Sequence, residues 1–489
     1  MMLISFFTAR ITLNALGITD YGINNVVGGL VSMFSMLSNS LSTAASRFIT
    51  FGLGEGNQEK LKQVFSTTVN IHLILALIII IAIESIGVWF LNNKMNIPAN
   101  RLYAANWVFQ CSVASFVIGL LSVPYNSAII AHERMTAFAY MTIFDAAARL
   151  GIILGIYYYG GDRLILLSIL TLIIGSIRQS IYWIYCKHNF AECKYKMVWD
   201  KELGKSIFSF AGWNFIGSIS GSLKDQGVNI AINYFSSPVV NAARGIAIQV
   251  SSILGQFTGG FMTAVNPQIT KSYANRNLNR MHTLICQGTR FTYYLYMLMS
   301  IPVFLEIESI LFIWLGQVPE HSVLFIRLIL LLSLLEVTSY MLTTAQLATG
   351  KIRNFQLVVG SIQMLHFPIS YILLKNGFFP EITVIVSIAI SPLFLIAQLW
   401  FTRNSIFLPI KYYIKKVYFN VIGVTIISTI LPIICHYNIE NPISRFFIVC
   451  IISICSSTIT IYYIGCNKEE QNKILFHLSN LKRKLSSRK

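Results

Sequence analysis

The sequence predicts an all-α membrane protein of about 14 transmembrane helices, in two six-helix bundles followed by two additional helices. Three observations carry that prediction: the scarcity of charge, the near-unbroken succession of apolar runs, and the uneven sharing of basic residues among the connections. Only 11% of the 489 residues are charged and 55% are hydrophobic, with a mean hydropathy of +0.64. A soluble domain carries about 25% charged residues. A chain this poor in polar surface is at ease only where lipid is the solvent.

The candidate spans are 1–16, 22–50, 64–91, 104–130, 138–159, 163–186, 206–234, 239–268, 284–315, 321–349, 355–375, 382–402, 417–436 and 444–465. The first is short of the roughly 20 apolar residues a helix needs to cross the hydrocarbon core. Residues 1–9 have no basic flank and no small-residue cleavage site, so they read as the tail of a first membrane helix from a truncated or late-called start, not as a signal peptide.

The net charge of +18 would suggest nucleic acid in a soluble chain. Here the positive-inside rule explains it and no nucleic-acid partner is expected. The even-numbered connections and the C-terminal tail hold 24 Lys and Arg, whereas the odd-numbered ones hold 5: Arg10, Lys94, Arg101, Arg163 and Lys375. Both termini are therefore expected in the cytoplasm of a multi-pass inner (cytoplasmic) membrane protein. One miscounted span would have inverted half of the connections and erased the asymmetry.

The longest internal connection, the basic linker 187–205, separates a bundle at 1–186 from a second at 206–403. Two additional helices at 404–466 and a basic tail at 467–489 follow. The halves share a faint repeat. Residues 41–66 align without gaps to 261–286 at an offset of 220, with Thr43/Thr263, Ala44/Ala264, Ile49/Ile269, Thr50/Thr270 and Asn57/Asn277 identical. Both segments end the second helix of their half and enter a cytoplasmic connection. Six spans separate them, an even number, so the repeat is parallel. Two related bundles around a central cavity form a transporter architecture.

The segment 238–274, PVVNAARGIAIQVSSILGQFTGGFMTAVNPQITKSYA, resembles the second-half signature of bacterial polysaccharide flippases of the O-antigen type. These belong to the multidrug/oligosaccharidyl-lipid/polysaccharide exporter (MOP) superfamily. LNALGITDYGINNVVGGL at 13–30 is similar to the first-half counterpart, and GWNFIGSISGSLKDQGVN at 212–229 fits the same family. The short first helix departs from the pattern. The resemblance implies alternating access and an undecaprenyl-pyrophosphate-linked oligosaccharide as cargo, with membrane lipid, a polysaccharide polymerase and chain-length machinery as further partners. It says nothing of which glycan. The alternatives are a multidrug/cation antiporter of the same superfamily and a membrane polysaccharide polymerase or ligase. The first would favour an acidic cavity. The second would be expected to carry a substantial outside loop, and none of these connections exceeds roughly a dozen residues.

Charges inside spans are the informative residues, because each costs about 2.5–3.5 kcal/mol at the bilayer centre. The candidates are Arg47, Asp145, Arg149, Arg178, Lys224, Asp225, Arg244, Arg290, Arg327 and Glu336. Asp145 and Arg149 stand one helical turn apart on one face, either a self-neutralising pair or a polar cavity wall with Asp145 as a coupling-ion site. Ser218, Ser222, Asp225 and Asn229 share a second face, and Asn214, Gly217, Gly221 and Lys224 its neighbour. Small-residue helix packing would explain the glycines and serines but not the lysine. Arg244 opens the following helix with Asn241 one turn before it; it either snorkels to the interface or faces cargo. Arg178 and Arg290 lie nearer the cytoplasmic ends, where snorkelling is easier. Cations suit a diphosphate head, and Asn, Gln, Ser and Tyr suit sugars. The expected substrate-binding set is thus Arg244, Lys224, Arg149, Asn241 and Asn214, with Asp145 and Asp225 for ion coupling.

Enzyme motifs fail. Gly204-Lys205-Ser206 has Trp199 where a phosphate-binding loop needs glycine. GLGEG at 52–56 reads as a helix end and turn. The eight Cys and eight His show no metal-ligand spacing, so neither metal nor cofactor is expected. Without an ATP site, transport would be driven by an ion gradient or by consumption of cargo on the far side.

Overall fold

The computed structural model describes residues 11–12, 15–17, 19–24, 27–28, 31, 34–93, 97–196, 198–236, 238–316, 318–472 and 475–476. Most of the expected first span and most of the basic tail lie outside them. All the regular structure among the described residues is helical, with no strand. The reason is elementary: a segment in lipid must satisfy every backbone N–H and C=O internally, and a helix does so within itself.

The helices from Ser35 onward are α1 (Ser35–Glu55), α2 (Gln58–Asn93), α3 (Ala99–Ala131), α4 (Met135–Tyr157), α5 (Arg163–Asn189), α6 (Lys201–Phe235), α7 (Pro238–Ala274) and α8 (Leu278–Leu305). They continue as α9 (Ile307–Leu315), α10 (Ser322–Thr349), α11 (Arg353–Lys375), α12 (Ile382–Ile406), α13 (Ile410–Asn438) and α14 (Pro442–Gly465). Most run several residues past the apolar stretch that marks them in the sequence. Hydropathy marks the lipid-crossing part, whereas the helix continues into the polar layers. At 36 residues, α2 is about 54 Å long, well beyond the roughly 30 Å hydrocarbon core.

Two expected spans are interrupted. The run 22–50 breaks at a turn on Phe34 before α1 begins. The run 284–315 is the bent pair α8–α9, with a 79° change of direction at Glu306. The buried Glu306 carboxylate there accepts from His436 Nδ1 at 2.7 Å, Arg445 Nε at 3.2 Å and Ser309 Oγ at 3.1 Å.

Among the described residues nine helices are long and apolar enough to cross a membrane, and the α8–α9 pair would make a tenth. The protein is therefore a multi-pass membrane protein. Helices α6 and α7, with 35 and 37 residues, have the length but not the apolarity. Such helices must turn their polar faces to protein or water rather than to lipid.

The chain divides into two compact units. The first comprises Met1–Ile219 and Thr270–Asn277. Its core gathers Ile49, Phe65, Tyr125, Ile129, Cys186 and Phe190. The two segments aligned in the sequence share one backbone feature. Gly56 (φ +74°) and Arg276 (φ +55°) are equivalent at the offset of 220, and both take the left-handed conformation that ends a helix. Asn57, after the first of these turns, caps α2 by accepting from the Lys60 N–H at 3.1 Å. The repeated segments also touch. A Cβ on Gly54 would stand 2.6 Å from Ala274 Cβ, so α1 approaches the end of α7 at a point where only glycine fits.

The second unit comprises Ser220–Ile269 and Leu278–Lys489. Phe355 and Phe401 meet edge to face at 5.6 Å within its core. Across the described residues the cysteines are all free and mostly buried, in keeping with their reading as small hydrophobes.

Candidate functional site

The second unit holds an open cavity of about 370 Å³. Its walls come from α6, α7, α8, α10, α11 and α12, and α6 and α7 supply most of its charge. Lys224 and Asp225 enter from α6, Arg244 from α7, Glu336 from α10 and His366 from α11.

Lys224 Nζ donates to Glu336 Oε1 at 3.0 Å, across 112 residues of sequence. Their side chains retain 18% and 34% exposure, all of it compatible with water in the cavity. Asp225, next in sequence, projects about 100° away on the helix and also lines the cavity without entering that pair. Arg244 is 6% exposed. One of its terminal nitrogens donates to the Asn229 side-chain oxygen, one helix back. Its Nε has no hydrogen-bond partner among the described residues. A buried guanidinium with a donor to spare is an open demand for an acceptor.

Neutral groups complete the wall. Ser251 Oγ is hydrogen-bonded to Tyr296 Oη at 3.1 Å and to Ser333 Oγ at 2.9 Å. His366 donates from Nε2 to the Thr383 carbonyl at 2.8 Å, which leaves Nδ1 as a buried acceptor with no partner among the described residues. Hydroxyls, an imidazole and two cations thus face one volume together with two carboxylates. The formal charge of these groups sums to zero, unlike the cation excess counted over all spans.

Of the residues expected from sequence, Lys224, Asp225 and Arg244 converge here. Asn241 is half-buried on α7 and does not line this cavity; Asn214 lies on the part of α6 that belongs to the first unit. Asp145 and Arg149 also belong to the first unit. Asp145 Oδ2 accepts from Arg149 Nε at 3.0 Å, and its Oδ1 accepts from Arg178 Nη1 of α5 at 2.9 Å. Arg149 is 59% exposed, Arg178 25% and Asp145 17%. The pair is therefore a triad, and Arg178 is an ion-pair partner. Glu336 stood out in the sequence only as a charge within a span. His366, Tyr296 and Ser333 gave no signal beyond one polar residue in an apolar run. Among the described residues no group of His, Cys, Asp and Glu could hold a metal ion.

A family model described as "Polysaccharide biosynthesis protein" matches residues 1–276. Solved transporters share the fold. A MATE crystallised in its straight conformation superposes with a TM-score of 0.72 at 14% identity, over 83% of this chain and 93% of that one. An outward-facing multidrug resistance MATE family transporter of the MOP superfamily gives 0.69 at 14% identity, over 82% and 92%. A MOP superfamily transporter from Pyrococcus furiosus, described as having a binding pocket of reversed polarity that suggests a different function, gives 0.67 at 14% identity, over 82% and 94%. At that identity the likeness is one of fold. No curated protein matches the chain in sequence.

Proposed function

The chain belongs to the polysaccharide biosynthesis protein family; from that premise, and from the fold it shares with solved MOP superfamily transporters, we propose that it is a membrane transporter of that superfamily and carries a lipid-linked oligosaccharide from the cytoplasmic to the outer leaflet of the inner membrane. The observation that carries this reading is Arg244, buried at the cavity wall with an unused donor, beside Lys224. A diphosphate offers the acceptors that both cations need, and a low-dielectric cavity strengthens the attraction. The hydroxyls of Ser251, Ser333 and Tyr296 and the free acceptor of His366 suit the sugars that follow the diphosphate. Polymerase and chain-length machinery would take the cargo on the far side.

In this reading Glu336 holds Lys224 while the cavity is empty of cargo. A diphosphate competes for the ammonium and leaves the carboxylate exposed without its cation. Glu336 and Asp225 are then the seats for a coupling counter-ion. Family and fold point to a transporter rather than an enzyme.

A second reading, an antiporter of cationic compounds, draws on a specific observation: the cavity's two carboxylates equal its two cations in number. Neutral replacement separates the two. Under the flippase reading Lys224→Ala and Arg244→Ala each stop surface-glycan export while membrane protein level is unchanged. Intact export in both strains sinks the diphosphate site, and loss of the protein from the membrane assigns the residues to folding. Acquired sensitivity to cationic compounds, with export intact, decides for the antiporter.

A further inference from the structure

A second cavity in the same unit, of about 220 Å³, lies between α8, the start of α13 and the end of α14. Three cations line it: Arg290, Lys415 and Lys416. Arg290 is not a snorkelling surface residue. Its side chain is 8% exposed, and Nη1 donates to the Gly465 carbonyl at 2.8 Å while Nη2 donates to Glu470 Oε1 at 2.5 Å. Its Nε has no partner among the described residues. The Glu470 carboxylate is committed elsewhere too, accepting from the Asn467 N–H at 2.8 Å through its other oxygen. Lys415 and Lys416 are exposed, and among the described residues neither enters an ion pair.

Among the described residues of this unit, the π-helical turns all lie around this cavity. Lys415 and Lys416 lie in one π-helical turn, Ile414–Tyr418, and Ile464 in another, Ile461–Gly465. A π-turn frees carbonyls from the regular helical ladder. Those of Ile464 and Gly465 are taken up from the side, by Asn420 Nδ2 at 3.2 Å and by Arg290. Asn420 is held in turn by the Tyr294 hydroxyl. The cavity is therefore a built site, with a fixed buried guanidinium at its back and two unneutralised ammonium groups at its rim.

We propose that this cavity binds the phosphate group of an anionic membrane lipid from the cytoplasmic leaflet. Three observations select that ligand. Guanidinium and ammonium groups converging without a free carboxylate match a phosphodiester. The cavity takes Lys415 and Lys416 from the basic stretch 403–416, where a headgroup would sit if that stretch lies on the cytoplasmic side, as the sequence predicts. The helices that form it expose Phe419, Ile422 and Tyr463, apolar surface suited to acyl chains. The site is separate from the Lys224–Arg244 cavity and stands whether or not that cavity carries a diphosphate.

The test uses the purified full chain and native mass spectrometry after exchange into phosphatidylcholine with added phosphatidylglycerol. Phosphatidylglycerol is retained in preference to phosphatidylcholine. Lys415→Gln/Lys416→Gln lowers that retention by about thirtyfold, two surface cations each contributing on the order of fivefold. Both lysines are exposed, so the thermal midpoint in phosphatidylcholine alone is unchanged. Lys194→Gln/Lys196→Gln, an equal loss of charge on another connection, leaves retention as it was. Equal retention by the Lys415/Lys416 variant, or equal loss in the Lys194/Lys196 variant, overturns the site. Thermal stabilisation by inorganic phosphate as large as by phosphatidylglycerol overturns the lipid assignment in favour of a free anion.

Discussion

Two charged clusters, one in each unit, solve the same problem, charge within membrane helices, in opposite ways. In the first, Asp145 is clasped by Arg149 one turn along its own helix and by Arg178 from the next. In the second, Lys224, Asp225, Arg244 and Glu336 come from three helices and face an open volume. The first arrangement satisfies its charges locally: every oxygen of Asp145 has a cation. The second leaves Asp225 outside the Lys224–Glu336 pair and an Arg244 nitrogen unmatched. Neutralisation alone explains the first. It does not by itself explain the second, where a bound ligand or ion, as proposed above, would offset the cost of the unmatched groups.

The sharpest way to break this contrast is Glu336→Gln. If Glu336 is a competitor for Lys224 and the seat of a counter-ion, export falls about ten- to hundredfold, the equivalent of the about 1.5–3 kcal/mol of a hydrogen bond to a charged group. Binding of pyrophosphate, measured by calorimetry, does not weaken, because Lys224 loses its rival. Unchanged export removes Glu336 from the transport cycle; weakened pyrophosphate binding places it among the cargo contacts.

A smaller effect belongs to the first unit. Asp145→Asn strands two cations and destabilises the protein by about 1–2 kcal/mol, below the ~3–5 kcal/mol of a fully buried pair because Asp145 and Arg178 are 17% and 25% exposed. Replacing Arg149 as well does not restore the loss, since Arg178 stays unpaired. Asp145→Asn/Arg178→Gln does restore it, read as membrane level and thermal midpoint. Export restored with stability confines the triad to packing. Stability restored without export moves Asp145 into the transport cycle.

The smallest effect is expected outside the spans. Arg101 donates to Asp20 at 2.6 and 2.8 Å and to Asp162 at 2.7 and 3.1 Å. The hydrogen bonds from Arg101 hold the Asp162 carboxyl below its ordinary value, with the backbone N–H groups of α5 adding to the effect. A depressed folded value contributes stability above the unfolded one, about 3.9, and that contribution is lost as pH falls through the folded value. The thermal midpoint is thus insensitive to this group from pH 7 to 5 and drops below about pH 4. Arg101→Gln flattens the acid limb. An identical limb in that variant would show that Asp162 owes its shift to something else.

The fold was legible because its signals are additive along the chain. Apolar length and loop charge each accumulate over hundreds of residues, and the 24-to-5 asymmetry does not depend on any one boundary. The repeat was legible for a local reason: a helix end and a left-handed turn at Gly56 and at Arg276, each followed by Asn, leave residue-level marks. The site was legible only in part. Lys224, Asp225 and Arg244 announce themselves because charge is rare in a span. Which way each points depends on helix rotation and on partners far away in sequence, such as Glu336 for Lys224 or Arg178 for Asp145. A serine, tyrosine or histidine in an apolar run carries no such announcement, so Ser333, Tyr296 and His366 emerged only once the helices were packed.

The unusual polarity of α6 and α7 has a bearing on biogenesis. Entry into lipid from the secretion machinery is a partition governed by the segment's own residues. Both helices are long enough to cross, yet neither is apolar enough to favour the bilayer by itself. They leave the ribosome before α8–α14, which make up most of the unit that covers residues 220–269. For that interval their polar faces have only part of their eventual shelter. The residues proposed to handle a polar cargo are thus the same ones that make α6 and α7 hard to insert.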